Sequence, residues 1–176
     1  MKTQPEAVFL IDLQVGNINN IFEPEKVVAA NKKVLEIARA AGLPVYHFKY
    51  HEEQRDIRFG KPWTEADTKE GEFHHDLVPL DNELFFTKPA YGAFSVTQLE
   101  QQLATYNIQT IWLTGVMSQV CVLATAYEAY AREYQVNVIL EAVGATNGRN
   151  LELGLEWMRK YVADIKTLSD FENHLN

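Results

Sequence analysis

The chain has little cysteine, few basic residues and no long apolar run, and each shortage removes a class of protein. One cysteine among 176 residues cannot close an internal disulfide. No apolar stretch approaches the ~20 residues that a membrane-spanning helix needs. The first residues lack the charged, apolar and small-residue order of a secretory signal. The expectation is a soluble, cytoplasmic protein with no membrane partner. Lysine and arginine number 16 against 24 acidic residues, for a net charge of -8. The basic residues are scattered, apart from the pair Lys32-Lys33, so nucleic acid is not an expected partner. There is no repeat and no low-complexity tract.

What is present is enough apolar material for a core. Hydrophobic residues make up 47% of the chain, which fits one domain spanning 1–176. Short β-rich runs alternate with segments of helical period, the pattern of a parallel sheet covered on both faces. The runs are Ala7–Ile11, Val45–Phe48, Leu84–Thr87, Thr110–Thr114, Val136–Leu140 and Ile165–Leu168. Between the first two, Val27, Ala30, Val34, Ile37, Ala38 and Ala41 recur at three- or four-residue steps, and Gly42-Leu43-Pro44 ends the pattern. Further helices are expected at Thr97–Thr105, Ser118–Glu133 and Leu151–Tyr161, with a short one after Ser169. The fold class is α/β, an open, doubly wound sheet.

From Lys49 to Asn82 the rhythm stops. The stretch HEEQRDIRFGKPWTEADTKEGEFHHD mixes charges, glycine, proline and aromatics without a period. A loop this long in a compact domain serves as a lid or an oligomer contact, or is a solvated excursion.

In open α/β sheets ligands collect at the carboxyl ends of the strands. Asp12 follows the first run in LIDLQ, Lys88 the third in TKPAYGAF, and Cys121 the fourth in TGVMSQVCVLATAYEA. Each has a bland reading: a turn carboxylate, a solvated lysine, a cysteine packed as a small hydrophobe. Their joint placement favours chemistry. Ser118 as an N-cap would put Cys121 in the first helical turn, where free N–H groups and the helix dipole lower a thiol's pKa. Lys88 would stabilise the thiolate, and Asp12 could take the thiol proton and return it to a leaving amine.

On LIDLQ, TKPAYGAF, TGVMSQVCVLATAYEA and the spacing between them, the chain resembles the isochorismatase-like cysteine hydrolases, which include nicotinamidases and N-carbamoylsarcosine amidases. The resemblance covers nearly the whole chain. It implies a three-layer α/β/α, Rossmann-like fold with a six-stranded parallel sheet, and a catalytic triad of Asp12, Lys88 and Cys121. It also implies a cis peptide between Val116 and Met117, and an oxyanion hole from the N–H groups of Met117 and Cys121. The implied reaction is hydrolysis of a small amide or carbamoyl C–N bond through a thioester, by a homodimer or homotetramer.

Departures from the family narrow the reading. Nicotinamidases resemble one another in an Asp-x-His element that helps to hold a metal; the matching residues here are Lys49-Tyr50-His51, without the aspartate. No cofactor and no metal are expected, although His51, His74 and His75 could meet in space. Isochorismatases that cleave a vinyl ether often lack the cysteine, so Cys121 favours amide chemistry. Gln14, Phe59, Trp63, Tyr91 and Phe94 are candidate pocket residues for a small, flat or partly apolar substrate, with Phe73 a further loop aromatic. Two other classes stay open: a binding or scaffold domain that has kept the fold, and a thiol redox sensor, for which the chain has no resolving cysteine.

Overall fold

The computed structural model describes residues 5–51 and 67–175. Six strands form one all-parallel sheet in the order β3-β2-β1-β4-β5-β6. They are β1 (Glu6–Ile11), β2 (Val45–Tyr50), β3 (Leu84–Lys88), β4 (Thr110–Val116), β5 (Gln135–Gly144) and β6 (Asp164–Lys166). The helices are α1 (Val15–Ile18), α2 (Pro24–Ala40), α3 (Leu99–Thr105), α4 (Leu123–Tyr130), α5 (Gly148–Tyr161) and α6 (Leu168–Leu175).

The alternation of side chains along a strand divides the core in two. Val8 and Leu10 of β1 face α2 and α6, joining Val27, Val34, Leu35, Trp112, Ile139 and Phe171. Ala7, Phe9 and Ile11 face α3, α4 and α5, joining Leu99, Leu103, Ala126, Ala129, Leu155 and Met158. Covering on both faces explains why β1 and β4 are buried throughout.

Boundaries follow local chemistry. Pro24 opens α2, where its missing N–H costs nothing, and Gly42 at φ +68° lets the chain leave it. The Asn147 side chain caps α5 by accepting from the Asn150 N–H at 2.9 Å, which starts that helix ahead of Leu151. Leu168 begins α6 instead of ending β6. The expected helix from Ser118 starts as a π-helical turn, Ser118–Val122, and becomes α-helical at Leu123.

The segment after β2 has short 3₁₀ turns at Lys69–Gly71 and His75–Leu77. Phe73 forms an isolated antiparallel bridge with Gln14. The His74 N–H donates to Leu13 O and the Val15 N–H to Glu72 O. This stretch therefore docks on the turn that follows β1.

Candidate active site

The sheet reverses direction of growth between β1 and β4, and the carboxyl ends of these strands meet at this switch point. Asp12 stands directly after β1 with φ 54°, a left-handed conformation that aspartate tolerates. Its N–H donates to Phe48 O at 3.0 Å and its carbonyl accepts from Asn17 Nδ2 at 2.9 Å. The backbone thus fixes where the carboxylate points.

Lys88 ends β3, opposite Tyr50 of β2. Its side chain is fully buried, and its Nζ lies 2.8 Å from Asp12 Oδ2. The same ammonium donates to Tyr91 O at 2.8 Å and Ala90 O at 3.2 Å, so oxygen atoms surround the buried charge. The Tyr50 ring lies 4.9 Å from Nζ and adds a cation–π contact. A buried charge needs such compensation.

Cys121 sits in the π-helical turn after β4, 7% exposed, with the charges of Asp12 and Lys88 acting on its thiol. Its carbonyl accepts from Thr125 Oγ1 at 2.8 Å, and Thr125 Oγ1 in turn accepts from the Ala93 N–H at 3.1 Å. The Phe94 N–H donates to Glu128 Oε2 at 3.0 Å. Two bonds from one helix therefore dock the Lys88 loop beside the thiol. The peptide bond between Val116 and Met117, just before this turn, is cis.

Ser118 is not the N-cap. Met117 occupies that position without a side-chain cap, and the Ser118 hydroxyl, fully buried, donates to Asn150 O at 3.4 Å. The thiol's expected low pKa is also overturned. Burial pushes the Cys121 thiol up, the Asp12 carboxylate pushes it further, and Lys88 only partly opposes them. Burial likewise raises the Asp12 carboxyl, against the charge of Lys88 and hydrogen bonds from Lys88 and Cys121. With the Asp12–Lys88 ion pair in place, a neutral thiol adds no net charge to the cluster. Loss of the thiol proton to solvent would leave a buried net negative charge, whereas its transfer to Asp12 keeps the cluster neutral.

The remaining candidates separate. Gln14 is 1% exposed, and its amide is committed: Oε1 accepts from the Tyr50 N–H at 2.8 Å, while Nε2 donates to Tyr50 O at 3.2 Å and Gly71 O at 3.1 Å. It straps the ends of β1 and β2 to the following loop. Tyr91 is half-exposed, its ring 5.6 Å from that of Tyr50 and its carbonyl on Lys88. Phe94 packs on Phe9 and Tyr134 with the Arg132 guanidinium over its ring, so it belongs to the core side of the sheet. Phe59 and Trp63 lie outside the described residues. Tyr50, Thr125 and Glu128 were not singled out in the sequence; only the four-residue spacing of Cys121 and Thr125 hinted at contact.

Among the described residues, His74, His75 and Asp76 form the one group able to offer three ligand atoms to a metal, within 4.8 Å of one another. His51 is not in it. His74 Nδ1 accepts from the Asp76 N–H, and Asp76 pairs with Lys32 at 3.1 Å, so donors of this group are already engaged. At the position of the missing aspartate, Lys49 sets its ammonium 4.6 Å from the centre of the Phe73 ring. A cation there does not fit a metal held in the nicotinamidase manner.

The isochorismatase domain matches residues 6–170, and the chain belongs to the isochorismatase family. It is similar to YaaI of Bacillus subtilis, an isochorismatase family protein, with 32% identity over 52% of this chain and 51% of YaaI. It is also similar to the ureidoacrylate amidohydrolase RutB of Serratia proteamaculans, with 27% identity over 66% of this chain and 56% of RutB. The structure of an isochorismatase family protein from Burkholderia thailandensis superposes with a TM-score of 0.88 and 26% identity, covering 98% of this chain and 96% of that one.

Proposed function

We propose that this chain is a cysteine hydrolase that cleaves a small amide or carbamoyl C–N bond through a thioester. The observation that carries the reading is the buried Asp12–Lys88 ion pair beside Cys121, which puts a base, a cation and a nucleophile together. The similarity to an enzyme that bears the name ureidoacrylate amidohydrolase supports the bond type.

In the first half-reaction the Cys121 thiol gives its proton to Asp12 as Sγ attacks the carbonyl carbon. The carbonyl oxygen becomes an oxyanion, held by the N–H groups of Met117 and Cys121. Collapse of this intermediate breaks the C–N bond, and Asp12 protonates the departing ammonia or amine. In the second half-reaction Asp12 takes a proton from water, which attacks the thioester. The acid leaves and Sγ recovers its proton. Lys88 holds the carboxylate in place and balances the negative charge that moves between Asp12 and Sγ.

The test is ammonia or amine release from a panel of small amides and ureido acids, with mass spectrometry of the protein after rapid acid quench. The expected results are an acyl adduct on Cys121 and a rate reduced roughly 10⁴-fold or more in Cys121→Ala. Full turnover by Cys121→Ala would sink the mechanism.

A further inference from the structure

The ammonium of Lys88 takes its place from a short loop. Its acceptors besides Asp12 are the carbonyls of Ala90 and Tyr91, two and three residues further along. The loop then enters a 3₁₀ turn, Ala93–Ser95, with Gly92 as its N-cap and no side-chain cap. A serine or aspartate at that position would satisfy the first N–H groups of the turn locally. Here the acceptors come from α4: Thr125 Oγ1 takes the Ala93 N–H at 3.1 Å and Glu128 Oε2 takes the Phe94 N–H at 3.0 Å. The Glu128 carboxylate fills the space of a side chain at Gly92, where a Cβ would stand 2.0 Å from Oε2. The turn is thus capped by another element and not by itself.

The helix that caps it also follows directly from the nucleophile. Thr125 is fully buried; its hydroxyl donates to the Cys121 carbonyl at 2.8 Å and accepts from the Ala93 N–H. One oxygen atom therefore links the backbone of Cys121 to the loop that holds the ammonium. Glu128, three residues on along the same face of α4, makes a second link. In the sheet β2 and β1 stand between β3, which carries Lys88, and β4, which leads to Cys121. α4 ties the two together directly.

Given the hydrolase reading of this site, on which the assignment rests, we propose that Thr125 and Glu128 are positioning residues that set the Lys88 ammonium against Asp12 and Cys121. Their hydrogen bonds go to backbone and not to the reacting atoms, so they act through the loop and its two carbonyls. Without them the base, the cation and the nucleophile all remain, but the ammonium is displaced. Turnover then falls while substrate binding does not.

Variants shown to be folded by circular dichroism are assayed for ammonia or amine release. Their Cys121 is also alkylated with iodoacetate and iodoacetamide, two reagents of similar size, one anionic and one neutral. The ratio of the two rates reads the positive charge beside the thiol, with Lys88→Met as the reference for its loss. Thr125→Val keeps the shape and loses the hydroxyl; it should lower kcat roughly 10²-fold with little change in KM. It should also move the alkylation ratio toward that of Lys88→Met. Thr125→Ser should recover both. Gly92→Ala, whose Cβ pushes the flexible Glu128 carboxylate aside, should lower kcat in the wild type and not in Glu128→Ala. Glu128 is only half-buried, so this second pair reads the same coupling if Thr125→Val does not fold. A folded Thr125→Val with wild-type kcat and ratio overturns the role of Thr125, as does a loss that Thr125→Ser does not recover. Additive effects of Gly92→Ala and Glu128→Ala overturn the role of Glu128. A wild type that hydrolyses no amide defeats the hydrolase reading instead, and the alkylation ratio still decides whether Thr125 places Lys88.

Discussion

A Cβ placed on Gly115 would stand 2.1 Å from the carbonyl oxygen of Ile11. The two residues are partners across β4 and β1, and Gly115 sits at φ +103° at an irregularity in the pairing of β4 with β5. This contact brings the strand that leads to Cys121 against the strand that ends at Asp12. Because the obstacle is backbone, no side-chain adjustment relieves it.

Gly115→Ala is therefore expected to separate stability from activity. The fold should persist with a lowered melting temperature, since strain at such a position costs about 1–3 kcal/mol. Turnover should fall further, by roughly 10²-fold, because small displacements of reacting groups are costly. A variant with wild-type turnover would show that the close approach does not set the Asp12–Cys121 geometry.

The opposing influences on Cys121 give a prediction in two directions. Asp12 raises the thiol and Lys88 lowers it. Asp12→Asn should therefore speed alkylation of Cys121 by a small neutral reagent at neutral pH, while abolishing hydrolysis. Lys88→Met should slow alkylation and abolish hydrolysis as well. The check is the pH dependence of alkylation in the three proteins. Slower alkylation in Asp12→Asn than in the wild type would mean that the carboxylate does not hold the thiol protonated.

Gln14→Leu removes at once three hydrogen bonds, one buried and two part-buried, to the Tyr50 N–H, Tyr50 O and Gly71 O. An unsatisfied buried group costs about 1–3 kcal/mol. The expected results are a lower denaturation midpoint and faster amide hydrogen exchange at Tyr50. Loss of turnover with unchanged stability and exchange would instead make Gln14 a substrate contact.

Acid stability should be governed by Glu83. Burial alone would raise its carboxyl, but hydrogen bonds from Arg39, His47 and the Leu80 N–H outweigh that and hold it well below the usual carboxylate range. Its stabilisation is present above the ~4.3 of an unfolded glutamate and is lost as pH falls below that value. Burial also lowers His47, against hydrogen bonding and charge from Glu83. The unfolded chain then takes up that proton first, and stability declines as pH drops below ~6.5. Asp12, raised in the fold, works in the opposite sense. Denaturant midpoints should fall from about pH 6.5 downward, steeply below about 4.3. Glu83→Gln should be less stable at neutral pH, by about 1–3 kcal/mol, and should lack the steep acid limb. An acid limb of wild-type steepness in that variant would assign the transition to other groups.

The sequence by itself determined the sheet: β1 and β4, buried on both faces, must read as continuous apolar runs. Each of the six runs contributes residues to a strand, although Leu168 of the last opens α6 and the edge strands β3 and β6 are only partly buried. It also placed Asp12, Lys88 and Cys121 at or beyond the carboxyl ends of strands, since the end of a strand is a local property. Only the tertiary structure decided that these three meet. Lys88 is two strands from Asp12 in the sheet, and strand order depends on crossovers that no local pattern records. The π-helical turn at Ser118, hidden behind an ordinary helical period, lies against Gly154 of α5, a contact no local pattern records. The protonation of the thiol was misread for the same reason. A helix N-terminus is visible in sequence, but the burial and the neighbouring carboxylate that outweigh it come from distant segments of the chain.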